Sequence, residues 1–371
     1  MERILQVMGG MNRRGAETFI MNVYRKINHS VLQFDFLVYD MARQDYEDEI
    51  ESLGGRVIHM PCHTGLKAPL SISQFRKVLR ENGPYKAVHI QTLLNSVWPL
   101  IAVKSETPDS VRIVHSHSTG NTLSSGFIKR IYERFARIMI RRHTQTMLAC
   151  GQEAGEYLFG DKFIQAGIVV NNGIDLDYHT AKNANAIKAI RKEFDLERCL
   201  VIGSVARFNP IKNHTRMINI ASELRKQGVG FKMLFVGNGS DEEMLREKVK
   251  DAGLSDHIIF TGLRRDIRDL MATFDVFLMT SHFEGNPVTL VEAQATGTPC
   301  VVSDVITNNM DMGLGLISKC SLESSDEIWA ETILRASAVR QEDIIEIRQQ
   351  LTAHGYDSES TARQLTSIYL K

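Results

Sequence analysis

Short apolar runs alternate with stretches of helical period along nearly the whole chain. In the first half they are RILQVMG (3–9), FDFLVY (34–39), RVIHM (56–60), AVHIQ (87–91), RIVHSH (112–117), TMLAC (146–150) and IVVNN (168–172). In the second half they are LVIGSVA (200–206), FKMLFVG (231–237), IIFTG (258–262), VFLMTS (276–281) and PCVVSD (299–304). Runs that are apolar at almost every position, not at every second one, read as strands of parallel sheets covered on both faces. Their alternation with helical stretches predicts doubly wound α/β folds. The alternation breaks over residues 173–198, where GIDLDYHTAKNANAIKAIRKEF is first polar and then helical. The pattern therefore predicts two Rossmann-like domains facing a central cleft. Their expected bounds are 1–178 and 179–352, with residues 353–371 as an amphipathic helix packing back toward the first domain.

The totals narrow the picture without directing it. The 371 residues exceed one typical core, which agrees with two domains. A net charge of zero leaves no global case for nucleic acid as a partner. The cysteines at 62, 150, 199, 300 and 320 are scattered and never in CxxC spacing, which argues against a disulfide framework or a zinc site. No apolar run approaches the roughly 18 residues a membrane span needs. The N-terminus lacks the layout of a signal peptide. The expected location is cytoplasmic, including the inner face of the cell membrane.

Three loops at predicted strand ends carry candidate chemistry. Helix N-termini at such ends offer free N–H groups and partial positive charge to phosphate. The first loop is MGGMNRRGAET, with Gly9, Gly10 and Gly15. It matches neither GxGxxG nor the Walker spacing, which lowers a dehydrogenase or NTPase reading. The second is VARFNPIKNH, where Arg207 and Lys212 flank a turn at Asn209-Pro210. An Arg fork and a Lys point charge can bracket a diphosphate, although a solvated loop is the plainer reading of this stretch alone. The third is HFEGNPVTLVEAQATGTPCVVSD, where Asn286 is expected to cap a helix with Pro287 in its first position. Glu292 shares a helical stripe with Val288, Val291 and Ala295, so it points where its neighbours are buried. A ribose diol would supply the donors it needs; a local Arg or backbone would serve as well. Glu284 precedes the helix and is expected in the loop.

Together these stretches resemble the family 4 retaining glycosyltransferases of the GT-B fold, and in particular bacterial members that build capsular and exopolysaccharides. The resemblance covers nearly the whole chain. Its most specific piece is the E-x7-E element from Glu284 to Glu292. GSVARFNPIKNH looks like the family's Arg…Lys diphosphate loop, VVNNGID like its NGID element, and VMGGMNRRGAET like its N-terminal glycine loop. The chain departs from the common R-G-G-A-E in that loop, with Arg14 in place of a glycine.

The resemblance implies an acceptor-side first domain and a nucleotide-sugar-binding second domain. It implies that Arg207 and Lys212 neutralise the departing diphosphate, that Glu292 holds the ribose, and that Glu284 and His117 contact the transferred sugar. Asn286, Pro287, Val288 and Thr289 would meet sugar and phosphate through their backbone. Gly15 would let the first domain close on the diphosphate. Leu263 or Arg264 would stand beside the base, and Asn238 joins the implied donor-binding set. His115 shares the strand parity of His117, and spacing to the following STGN favours His117. No metal or other cofactor is implied, and the sequence shows no convincing DxD site. The implied substrate is a nucleotide sugar, UDP-linked by expectation. The implied acceptor is a lipid-linked or oligosaccharide glycan in cell-surface polysaccharide synthesis.

Two other function classes stand beside this one. One is a nucleotide-sugar epimerase or phosphorylase-like enzyme on the same architecture. The other is a non-catalytic sugar-nucleotide-binding subunit. A further feature is FIKRIYERFARIMIRRHT (127–144), which carries six basic residues and one acid between 128 and 142. Ile128, Ile131, Phe135 and Ile138 form one face and Arg130, Arg134, Arg137 and Arg141 another. The ordinary expectation is that the apolar face packs on the sheet and the arginines are solvated. Docking to anionic lipid is the sharper one.

Overall fold

The computed structural model describes residues 1–63, 68–118 and 127–371, with the side chains of 68, 69 and 127–129 left out. Its chain forms two compact units, residues 1–173 with 355–371, and residues 174–354.

The first unit holds β1 (Glu2–Met8), β2 (Leu32–Val38), β3 (Arg56–His59), β4 (Ala87–Ile90), β5 (Val111–Ser116), β6 (Thr146–Ala149) and β7 (Ile168–Val169). They form one sheet in the order β3-β2-β1-β4-β5-β6-β7, and every pairing is parallel. The second unit holds β8 (Leu200–Val205), β9 (Phe231–Val236), β10 (Ile258–Gly262), β11 (Val276–Met279), β12 (Cys300–Ser303) and β13 (Ile317–Cys320). Its order is β10-β9-β8-β11-β12-β13, again parallel throughout. Both orders reverse beside their first strand, and open α/β sheets bind ligands at the carboxyl ends flanking such a reversal. Each run expected as a strand overlaps one. β13 was not expected: ISKC is short, polar at two of its four positions and only part-buried.

The strands are buried because helices cover both faces. On one face of the first sheet Ile4, Phe34, Phe36, Ala87 and Ile113 pack with Phe19, Ile20 and Tyr24 of the helix Gly15–Lys26. The C-terminal helix Ser358–Tyr369 joins the same cluster through Leu365, Ile368 and Tyr369. Asp357 caps that helix by accepting from the N–H groups of Glu359 and Ser360. The helix start presses against Gly173, where a Cβ would come within 2.9 Å of Ser358 N and Cα. The glycine of NGID is therefore required by backbone approach, and Asn22 donates to its carbonyl at 3.1 Å.

The basic helix Phe127–His143 corrects its expected orientation. Ile131, Phe135 and Ile138 are 55%, 42% and 53% exposed, whereas Ala136 and Ile140 are buried. Arg137 and Arg141 are only part-exposed, and the Arg137 guanidinium stacks 4.4 Å over the Tyr157 ring. The inward stripe runs through Tyr132, Ala136, Met139 and Ile140, which meet the second hydrophobic cluster of this unit. A face set by apolar count alone thus misplaces the contact, because the stem of an arginine packs as well as an isoleucine. Ile128 lies outside the described side chains.

Asp35 is a fully buried acid on β2, gripped from two sides. Arg3 Nε donates to it at 2.9 Å and Arg56 Nε at 3.1 Å. Burial works to raise its pKa, but the hydrogen bonds from Arg3 and Arg56 prevail and hold it below the ordinary value. Its stabilisation is therefore present above the unfolded carboxylate pKa and is lost as pH falls through the lower folded value. Asp35→Asn is expected to cost about 3 kcal/mol at pH 7, read from the urea midpoint. The loss should shrink below pH 4, where wild type gives up the same interaction; an equal loss at both pH values would contradict this account.

Candidate functional site

The candidate residues of the second unit stand at the carboxyl ends of its strands. After β8 the chain runs through Ala206 and the exposed Arg207 into a single 3-10 turn, Pro210–Lys212. Asn209 shapes that turn by accepting from Lys212 N with its side chain, and Pro210 begins it. After β11 the Thr280 hydroxyl donates to the Asn213 carbonyl at 2.9 Å, and His282 N donates to the Ile211 carbonyl at 2.8 Å. The loops after β8 and β11 are thus tied backbone to backbone.

This tie brings together two residues that are 72 positions apart. Lys212 Nζ lies 2.6 Å from Glu284 Oε1, and the Ser281 hydroxyl donates to the same oxygen at 2.6 Å. Glu284 is only 9% exposed and Lys212 24%. A desolvated, hydrogen-bonded ammonium–carboxylate pair is thereby fixed at a strand's carboxyl end. Arg207 forms no ion pair among the described residues, which leaves its guanidinium to solvent or ligand.

The helix expected to open at Pro287 opens one residue later, as Val288–Ala295. Pro287 keeps an extended ψ of 100° and occupies the cap position, where its ring offers no hydrogen-bonding side chain. Asn286 is therefore not the cap. The ring of Pro287 removes a donor just ahead of Val288 and Thr289, and the first-turn N–H groups of the helix point toward this strand-end edge, the kind of turn that receives an anion or hydroxyl.

Glu292 projects from that helix with 15% exposure and finds no hydrogen-bond donor among the described side chains. Burial pushes its pKa up to about 7. Its nearest basic group is His179 Nε2 at 3.9 Å, too far for a hydrogen bond. His179, from the short helix Leu176–Thr180, is itself pushed down to about 4, chiefly by burial. The sequence reading missed both Ser281 and His179. Ser281 follows a strand end and precedes Glu284 by three residues, a usable signal; His179 is brought to Glu292 only by tertiary packing.

The other candidates are dispersed over neighbouring strand ends. Asn238 follows β9, is exposed, and accepts from Phe208 N at 2.9 Å. Leu263 follows β10 and is 75% exposed. Arg264 beside it is engaged by Glu193 at 2.5 Å and Asp266 at 2.7 Å, so its guanidinium is not idle.

In the first unit Gly15 begins the helix after the β1 loop. A Cβ there would meet nothing within 4 Å, so the protein's own packing does not demand glycine. Arg14, which stands at the cap position, is exposed and provides no side-chain cap. His117 follows β5 and holds Gln91 Oε1 at 2.8 Å through Nε2. Its ring lies tilted 4.0 Å from that of His115, which is fully buried and has no hydrogen-bond partner among the described residues. Residues 119–121 of STGN lie outside the described residues.

Residues 14–173 match the family description "Glycosyl transferase 4-like domain", and residues 186–312 match "Glycosyl transferases group 1". The glycosyltransferase EpsF of Bacillus subtilis (strain 168) is 37% identical over 372 residues, spanning 99% of this chain and 96% of that protein. The chain belongs to the family 4 glycosyltransferases. The capsular polysaccharide biosynthesis glycosyltransferase CapH of Staphylococcus aureus is 22% identical over 100% of this chain and 99% of its own. Among solved structures, Anabaena HepE in complex with UDP superposes with a TM-score of 0.76 at 18% identity, covering 99% of both chains. WaaG, a glycosyltransferase involved in lipopolysaccharide biosynthesis, gives 0.70 at 14% identity over 99% of both. These likenesses establish the GT-B fold for this glycosyltransferase, with two parallel-sheet Rossmann-like domains.

The glycosyltransferase carries a measurable cost at Glu292. A carboxyl held neutral up to about 7 when folded, but ionised above the ordinary value when unfolded, destabilises the ligand-free protein as pH rises between the two. Glu292→Gln is therefore expected to leave stability near pH 4.5 almost unchanged. Above pH 7 it should raise stability by on the order of 2 kcal/mol, read from denaturant midpoints. A shift of equal size at both pH values would refute the assignment.

Proposed function

We propose that this glycosyltransferase is a retaining enzyme that moves a hexose or N-acetylhexosamine from a UDP-sugar to a lipid-linked or oligosaccharide acceptor during cell-surface polysaccharide synthesis. The observation that carries the reading is the Lys212–Glu284 pair at the carboxyl end of the second sheet, in the loops that lead into the helix Val288–Ala295. Support for the donor comes from the UDP found in the HepE complexes. Support for the acceptor class comes from CapH, named for capsular polysaccharide biosynthesis, and from the Escherichia coli galactosyltransferase named for a diphosphoundecaprenol-linked sugar.

In this reading Arg207 and Lys212 receive the diphosphate. The first-turn N–H groups at Val288 and Thr289, with the backbone of Asn286 and Pro287, meet sugar and phosphate. The ribose hydroxyls donate to Glu292, supplying the donors it otherwise lacks. Glu284 and His117 contact the sugar, Gly15 admits the diphosphate, and Leu263, Arg264 and Asn238 flank the base and ribose. The bond from the anomeric carbon to the phosphate oxygen breaks, and the acceptor oxygen bonds to that carbon on the same face. The acceptor's proton passes to the leaving phosphate oxygen, so no protein nucleophile is consumed. The protein's contribution is geometric and electrostatic, and Lys212 carries most of it.

The same pair predicts a kinetic signature. Lys212→Ala should lower kcat by about 100-fold or more with little change in acceptor KM. Near-normal turnover would refute the role. Binding and slow hydrolysis across UDP-, GDP- and ADP-sugars would fix the donor, and turnover of a UDP-sugar without acceptor to an epimer would favour the epimerase reading instead.

We further propose peripheral attachment to the anionic inner face of the cell membrane through residues 127–144. No helix among the described residues is long and apolar enough to cross a membrane. The outward face of the basic helix, however, mixes exposed Ile131, Phe135 and Ile138 with exposed Arg130, Arg134 and Arg142. Apolar side chains flanked by cations suit the boundary between headgroups and acyl chains. Co-sedimentation with phosphatidylglycerol vesicles is expected, and with phosphatidylcholine vesicles it is not. Replacing the three arginines by glutamate should abolish it; binding that survives would overturn the proposal.

A further inference from the structure

A column of buried amides and rings runs beneath His117. Gln6 of β1, His89 and Gln91 at the end of β4, and His115 and His117 at the end of β5 share one face of the first sheet. That parity is set by the registers Gln6↔His89 and His89↔Ile113. The C-terminal helix covers this face and delivers the fully buried Tyr369. Four contacts link the column end to end. His117 Nε2 meets Gln91 Oε1 at 2.8 Å, and Gln91 Nε2 donates to Gln6 Oε1 at 3.0 Å. Gln6 Nε2 donates to the Tyr369 hydroxyl at 3.1 Å, which lies 2.7 Å from His89 Nδ1.

The direction of donation follows from the amides. A carboxamide donates only through nitrogen and accepts only through oxygen. Gln91 spends its nitrogen on Gln6, so its oxygen must accept from His117, and His117 must carry its proton on Nε2. Tyr369 receives from Gln6, which leaves its own hydrogen for His89 Nδ1. His117 Nδ1 then keeps a lone pair, and it finds no partner among the described residues. Burial also drives His117 down to about 3, which keeps the ring neutral.

We propose that Gln91, Gln6 and Tyr369 are positioning residues that fix His117 as the neutral Nε2–H tautomer and present Nδ1 as a hydrogen-bond acceptor for a hydroxyl of the transferred sugar. The second clause rests on the proposed sugar contact of His117; the first does not. A free imidazole exchanges between tautomers, and either nitrogen can donate. An acceptor locked by Gln91 and the buried Gln6 and Tyr369 selects a sugar with a hydroxyl at the facing carbon and penalises its deoxy analogue. The C-terminal helix thereby becomes part of the site, although it contributes no residue that touches ligand.

The test is nitrogen NMR on the full chain labelled at histidine, with His117 identified by its loss in His117→Ala. The expected spectrum is a neutral ring protonated on Nε2 between pH 6 and 8. The Nδ1–H form or an even mixture in the wild type would overturn the tautomer assignment. Gln91→Leu should convert His117 to a mixture and lower kcat/KM for the donor by about tenfold, the worth of one hydrogen bond. Gln91→Glu keeps an accepting oxygen and should keep the Nε2–H form. Tyr369→Phe retains the ring against Phe34, so a lost tautomer bias there cannot be a packing defect. An unchanged His117 spectrum in both Gln91→Leu and Tyr369→Phe would sink the relay. Full transfer activity in His117→Ala, with the wild-type spectrum as expected, would sink the sugar contact and leave the relay standing.

Discussion

A parallel sheet sends the carboxyl end of every strand to the same edge, and both units of this glycosyltransferase are parallel throughout. The helices that follow must then begin at that edge, with their unsatisfied N–H groups and the positive end of their dipoles. Nearly every candidate residue obeys this constraint. The glycine loop follows β1, Gln91 follows β4 and His117 follows β5; Arg207, Asn238, Leu263 and Glu284 follow β8, β9, β10 and β11 in the same way. The fold supplies the edge, and the loops supply the chemistry.

The two glutamates of the E-x7-E element answer one electrostatic problem in opposite ways. Glu284 is satisfied inside the protein, by an ammonium and a hydroxyl on one oxygen. Glu292 is not, and desolvation keeps it close to neutrality. An unsatisfied buried acid is tolerable only if its cost is recovered elsewhere, and functional sites are where proteins keep such costs. Under the proposed function the two acids are complementary. One orients a cation before any ligand arrives, and the other waits for hydroxyls that only the ligand brings.

The strands were legible because parallel strands buried on both faces must be apolar almost continuously, and no other pattern in the chain competes with that. The E-x7-E glutamates and the Arg207–Lys212 loop were legible as charged residues in unexpected places. Their pairing was not, since Lys212 meets Glu284 only after β8 and β11 become neighbours in the sheet. The same holds for His179 beside Glu292 and for Gln6 beneath His117. The helix start was misjudged by one residue because Pro287 is compatible with both the cap and the first turn. The basic helix was turned the wrong way because hydrophobic counting ignores how arginine stems pack.

The chain leaves the first unit at Gly173 and re-enters it at Gly355, and the two points are neighbours: a Cβ on Gly355 would stand 3.2 Å from Asn171 Nδ2. The second unit is thus written into the first as an insertion, and residues 355–371 complete the domain that residues 1–173 begin. A nascent first unit lacks Tyr369 until 280 residues after His89 have been added. Loss of the helix Ser358–Tyr369 alone would therefore spare every residue of the second unit while removing the cover from the first unit's histidines. A change at residue 369 would be felt at residues 6 and 89, hundreds of positions earlier in the chain.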